Sequence, residues 1–68
     1  MEVFVNGRKV RIHRGMSVKH ALIACDQDLY RAALEGALRV EDENGFVVGL
    51  DGALSDGARI NTRDIRLK

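Results

Sequence analysis

The opening stretch "MEVFVNGRKVRIH" restricts the fold of this chain more than any other segment. Asn-Gly between two alternating runs favours a two-residue hairpin turn, because both residues tolerate positive φ. With Asn6-Gly7 as the loop, Val5 faces Arg8, Phe4 faces Lys9, Val3 faces Val10, Glu2 faces Arg11 and Met1 faces Ile12. Met1, Val3, Val5, Val10 and Ile12 then share one side of the ribbon, predicted to be the core side. Glu2, Phe4, Lys9 and Arg11 share the other, where Glu2 and Arg11 are also matched in charge.

The next signal has a different period. Gly15 ends the hairpin and Ser17 is placed to cap a helix. Val18, Ala21, Leu22 and Cys25 follow at i, i+3, i+4 and i+7, one face of a helix. Asp26 to Asp28 interrupts it, and Asp28 is the expected cap of a second short segment, "LYRAALE", stopped by Gly36. "ALRVEDENGFVVGL" reads as two extended pieces around Asn44-Gly45, with Leu38 and Val40 before the turn and Phe46, Val48 and Leu50 after it. Asp56-Gly57 sets a turn, Leu54 is expected beneath it, and Ile60 is expected to start a strand. That strand alternates through Thr62 and resumes at Ile65 and Leu67 with its phase shifted by one. A bulge or strand end near Arg63–Asp64 follows from the shift.

Hairpin, helix and further strands in one chain of 68 residues predict a single α+β domain spanning residues 1–68, a two-layer sandwich. Four to five strands are expected, packed on one main helix. A domain this small has one small core. Its single cysteine excludes an internal disulfide, and with it a zinc site or iron–sulfur cluster held only by cysteines of one chain. No apolar run is long enough to span a bilayer, and "MEVFVNG" shows no charged leader followed by an apolar block, so a cytoplasmic protein is expected.

The net charge of +1 conceals a pattern. Residues 1–20 carry five cations against Glu2 alone, residues 21–56 eight carboxylates against Arg31 and Arg39, and residues 57–68 four cations against Asp64. Basic ends and an acidic middle give one basic face if the ends lie side by side, gathering Lys9, Arg11, Arg59 and Arg63. Aromatics are few and the overall excess is small, so nucleic acid is not the expected partner.

No catalytic constellation is visible. Ser17, Ser55 and Thr62 lack a histidine–acid signature. His13 and His20 have no further ligand at metal-binding spacing and are expected at the surface. Aligning Gly45 of "EDENG" with the glycine of a calcium loop puts Val40 at the first ligand position, so that stretch reads as a solvated turn. Cys25 reads first as part of the helical stripe, since buried free cysteine behaves as a small hydrophobe. Phe4, flanked by Lys9 and Arg11 on the non-core sheet face, is the best candidate for docking a protein.

Family resemblances add to this reading. "MEVFVNG" resembles the start of ubiquitin, where alternate residues of the first strand enter the core and a phenylalanine stays outside. "VFVNGRKVRIHRGMSVKHALIAC" resembles the opening of the ferredoxin-like 2Fe-2S domain of complex I large subunits and iron-only hydrogenases, and "VVGLDGALSDGARINT" resembles its closing motif. The resemblance implies a β-grasp, with the last strand parallel to the first, so that the strand started by Ile60 pairs with Val3 and Val5. It also places Cys25 at the first cluster ligand, while the other three ligand positions fall near Gly36, near Arg39 and at Leu50. None of those three residues binds iron, so the expectation is a cluster-free relative, without cofactor or enzymatic activity, that docks on a larger redox or biosynthetic enzyme or on itself, with Cys25 as a ligand remnant. A weaker likeness to the thiamine and molybdopterin sulfur carriers rests on "VNG" and the Asp-Gly turn. Their chemistry needs a C-terminal Gly-Gly, and this sequence ends "DIRLK". A likeness to the TGS-type module, often attached to RNA-binding machinery, is one of spacing only.

Overall fold

A computed structural model describes residues 1–65. Strands β1 (Glu2–Val5) and β2 (Arg8–Arg11) lead into helices α1 (Val18–Cys25) and α2 (Gln27–Leu34), followed by β3 (Leu38–Asp42) and β4 (Arg59–Asp64). The four strands form one mixed sheet in the order β2-β1-β4-β3. β1 pairs antiparallel with β2 and parallel with β4, and β3 pairs antiparallel with β4. The result is a small α+β fold, with both helices on one side of the sheet.

The first hairpin has the register expected from Asn6-Gly7: Val5 opposite Arg8, Phe4 opposite Lys9, Val3 opposite Val10 and Glu2 opposite Arg11. Asn6 and Gly7 take φ of 54° and 83°, the left-handed conformation such a turn demands. Period two then carries Val3, Val5 and Val10 to the helix side, where they meet Ile12, Val18, Ala21, Leu22, Val40 and Ile60 in one core. Leu22, Val3, Val5 and Val18 are its largest fully buried side chains. Each such burial contributes about 1.5–3 kcal/mol.

The parallel pairing of β1 with β4 is set by the Asp-Gly turn. Gly57 N–H donates to the Glu2 carbonyl at 2.7 Å, and Glu2 N–H donates to Asp56 Oδ1 at 2.8 Å. Gly57 supplies the φ of 84° that this geometry requires. Pairing continues through Phe4 N–H to the Ala58 carbonyl and Asn6 N–H to the Ile60 carbonyl. Where β1 turns away, the Asn6 side chain takes over: Oδ1 accepts from Thr62 N–H at 2.8 Å and Nδ2 donates to Thr62 Oγ1 at 2.9 Å. The strand begins at Arg59, and Ile60 pairs with Val5 alone rather than with Val3 as well. It ends at Asp64, where the alternation shifts phase. The alternation expected at Leu67 lies outside the described residues.

Several expectations are corrected. The expected second helical segment forms, but at eight residues it is as long as the first, so there is no single main helix. Asp26, not Asp28, starts the second: it ends α1 through its N–H to the Leu22 carbonyl and caps α2 by accepting from Asp28 N–H at 2.9 Å. α2 stops in a Schellman turn, with Ala37 N–H bonded to the Ala32 carbonyl and Gly36 N–H to the Ala33 carbonyl.

The second hairpin is half formed. Among the described residues only Glu41 and Val47 make a bridge beyond the Asn44-Gly45 turn, and residues 46–50 form no strand. The competing demand is the unsatisfied N–H groups at the start of α1. The Gly52 carbonyl accepts from Val18 N–H at 3.0 Å, and the Leu50 carbonyl from Lys19 N–H at 2.9 Å. His20 assists there as well, being half-buried rather than a plain surface residue. Its Nδ1 accepts from Ser17 N–H at 3.0 Å, the back-bonding half of a capping box. No helix among the described residues is long and apolar enough to cross a membrane.

Candidate functional site

The site is the sheet face turned away from the helices. Period two puts Lys9 and Arg11 of β2, Glu2 and Phe4 of β1, Arg59, Asn61 and Arg63 of β4, and Arg39 and Glu41 of β3 on that face. Both described helices pack against the opposite, Val3 side. Five cations therefore stand beside two carboxylates. Lys9, Arg11, Arg59 and Arg63, far apart in sequence, are brought together as the basic ends of the chain led one to expect.

Phe4 lies at the centre. β1 and β4 place Arg59 directly beside it, and the Arg59 guanidinium sits over the ring, 4.4 Å from its centroid. The ring quadrupole attracts the cation, by about 0.5–1 kcal/mol at an exposed site. The contact seats an exposed guanidinium against the ring, and arginine stacked in this way keeps N–H groups able to bond elsewhere. The sequence shows Phe4 between Lys9 and Arg11; Arg59 becomes its neighbour only through the β1–β4 pairing.

Ion pairs order the two flanks. Glu2 reaches Arg11 Nη2 at 3.6 Å and Lys9 Nζ at 3.9 Å. All three side chains are well exposed, so these pairs contribute little to stability. The opposite flank is different. Arg39 and Arg63 are directly opposed across β3 and β4, a like-charge pairing that is unfavourable by itself. Glu41 resolves it: its Oε2 accepts from Arg39 Nε at 2.8 Å and lies 3.7 Å from Arg63 Nε. Glu41 is only 8% exposed, the one buried charged residue among those described. Its role was missed in the sequence, although the Arg39-x-Glu41 spacing on a strand carries the signal. Val47, bridged to Glu41, adds an exposed apolar residue at this edge.

Cys25 lies elsewhere. It is half-buried at the end of α1, packed against the core. Leu50, at another ligand position of the ferredoxin-like motif, bonds to Lys19 in the first turn of the same helix. Six residues of helix, about 9 Å, separate Lys19 from Cys25. Arg39, near a third position, stands on the far side of the sheet. These motif positions do not converge on one nest in this chain. Among the described residues no group of three or more His, Cys, Asp or Glu is placed to hold a metal ion. No family model matches the chain, and neither a curated protein nor a solved structure does.

Proposed function

We propose that this chain is a non-catalytic β-grasp, ubiquitin-like docking module, a cluster-free relative of ferredoxin-like 2Fe-2S domains, that binds a larger redox or biosynthetic enzyme through its open sheet face. The β-grasp reading is supported by the parallel β1–β4 pair at the centre of the sheet, with the Asn6-Gly7 hairpin on one side and β3 on the other. The docking reading is carried by one observation: the Arg59 guanidinium stacked on Phe4 at the middle of a face that no described helix covers. Aromatic and arginine side chains are the types that most often anchor protein interfaces. The surplus of cations favours a partner surface rich in carboxylates.

Affinity capture with the wild-type chain beside Phe4→Ala and Arg59→Glu tests this. The expected result is a partner recovered with wild type and lost with both variants, while identical recovery from all three refutes the reading. Iron and sulfide analysis forms a second check, because a brown protein absorbing in the visible range contradicts the cluster-free assignment. The gathering of Lys9, Arg11, Arg39, Arg59 and Arg63 on one face favours RNA as the alternative partner. Salt-dependent RNA binding abolished by Lys9→Glu and Arg11→Glu would establish that reading instead.

A further inference from the structure

We infer that the outer edge of β2 is a second docking site, which takes an extended, acidic segment of a partner protein as an added strand. It is distinct from the Phe4–Arg59 centre and does not depend on it.

The hydrogen-bond pattern of the hairpin leads there. Met1 and Ile12 exchange both backbone bonds, Ile12 N–H to the Met1 carbonyl at 2.9 Å and the Met1 amine to the Ile12 carbonyl at 2.7 Å. In an antiparallel pair such bonded positions alternate, so Val10 and Arg8 also bond inward to β1. Glu2 and Phe4 of β1, and Asn6 just after it, point their N–H groups the other way, toward Asp56, Ala58 and Ile60. Lys9 and Arg11 are therefore left with N–H and C=O groups facing away from the sheet, and no described strand lies beyond them. This is the template that strand addition uses.

The surroundings choose the occupant. A strand laid on this edge alternates its side chains between the two sheet faces. Residues opposite Lys9 and Arg11 emerge on the open face beside two cations that share the single carboxylate of Glu2, which leaves this edge net positive. Those between them emerge on the helix side, where the edge borders a groove of about 240 Å³ lined by Ile12, Met16, Ile23 and Ala24. Ile23 is 37% exposed there, and its side chain extends the apolar floor. From Arg8 to Arg14 the chain carries Arg8, Lys9, Arg11 and Arg14 and no carboxylate. A second copy pairing through its own β2 sets cation against cation, which costs stability. An alternation of acidic and aliphatic residues satisfies the edge, the groove and the charge together.

The test is titration of the isotope-labelled chain with acetyl-Glu-Val-Glu-Ile-Glu-Val-amide, read by nuclear magnetic resonance. The expected result is amide shifts greatest at Lys9 and Arg11, methyl shifts at Ile12 and Ile23, and affinity that falls as salt rises. Lys9→Pro removes an outward N–H and the Lys9 charge without breaking a bond inside the hairpin, and should weaken binding about tenfold or more, the loss of one strand hydrogen bond and one cation. If that variant does not fold, Lys9→Glu with Arg11→Glu serves instead, and should exchange preference from the acidic peptide to acetyl-Lys-Val-Lys-Ile-Lys-Val-amide. Absence of shifts, equal binding of both peptides by wild type, or binding unchanged by the substitutions overturns the proposal. Shifts confined to Phe4, Arg59 and Asn61 overturn it too, while leaving the open-face reading intact.

Discussion

Replacing Glu41 by glutamine removes one charge and leaves two guanidiniums facing each other. The Arg39 and Arg63 side chains are directly opposed in the β3–β4 register, 40% and 66% exposed, while the Glu41 side chain is 10% exposed. Two unit charges about 4 Å apart at an effective dielectric of about 20 interact by about 4 kcal/mol. Desolvation of Glu41 and the exposure of both arginines cut that sharply, and the 3.7 Å contact to Arg63 belongs to the weak, screened class. The 2.8 Å bond to Arg39 is the larger contribution, since a hydrogen bond between charged groups is worth about 1.5–3 kcal/mol before discounting. Glutamine restores part of it through its amide oxygen. Glu41→Gln should therefore destabilise the chain by about 1–2 kcal/mol. For a domain of this size that lowers Tm by about 4–8 °C for each kcal/mol.

Urea unfolding of Glu41→Gln, Arg63→Met and the double variant measures it. The midpoint should fall with m unchanged, and the loss from Glu41→Gln should shrink when Arg63 is already methionine. Added salt should recover part of the loss by screening the two arginines. A change under about 0.3 kcal/mol, or one identical in both backgrounds, refutes the claim that Glu41 offsets the Arg39–Arg63 repulsion.

Other perturbations follow from the fold. Gly52→Ala should cost about 1–3 kcal/mol, because a Cβ there meets the Gly49 carbonyl oxygen at 3.0 Å and Val18 Cγ2 at 3.5 Å; a midpoint equal to wild type would contradict that packing. Asp26→Ala removes the cap of α2 and should cost about 1 kcal/mol, with Asp26→Asn largely restoring it, as measured by thermal melting. Leu22→Ala, at a fully buried position in the core, should cost about 3–5 kcal/mol and leave little or no folded protein at room temperature by circular dichroism.

The parts of the fold that were legible are those decided locally. Asn6-Gly7 specifies its own turn, and the turn then specifies every pair from Val5–Arg8 to Met1–Ile12. The stripe Val18, Ala21, Leu22 announces a helix because only one period fits it. Competition between distant groups was not legible. Residues 46–50 alternate like a strand, and Phe46 and Val48 do bond to Asp42 and Val40, yet Leu50 and then Gly52 turn away to the N–H groups of Lys19 and Val18, more than thirty positions earlier. Asp26 and Asp28 are equally good caps by type, and the corner between α1 and α2 selects the first. The site divides the same way. Period two carries Phe4, Lys9 and Arg11 to one face from sequence alone. The stacking of Arg59 and the burial of Glu41 depend on β4 lying between β1 and β3, and no short-range signal carries that order.

Docking through the face centred on Phe4 and Arg59 is the proposal on which the function rests. The most direct measurement is to titrate the partner recovered by affinity capture into the isotope-labelled chain and record which residues respond. Phe4, Arg59 and Asn61 should shift most, and Phe4→Ala should weaken binding by about 2 kcal/mol or more, as for a central anchor. Shifts concentrated at Tyr30 and Leu34 on the helix side, with Phe4→Ala binding as wild type does, would contradict it.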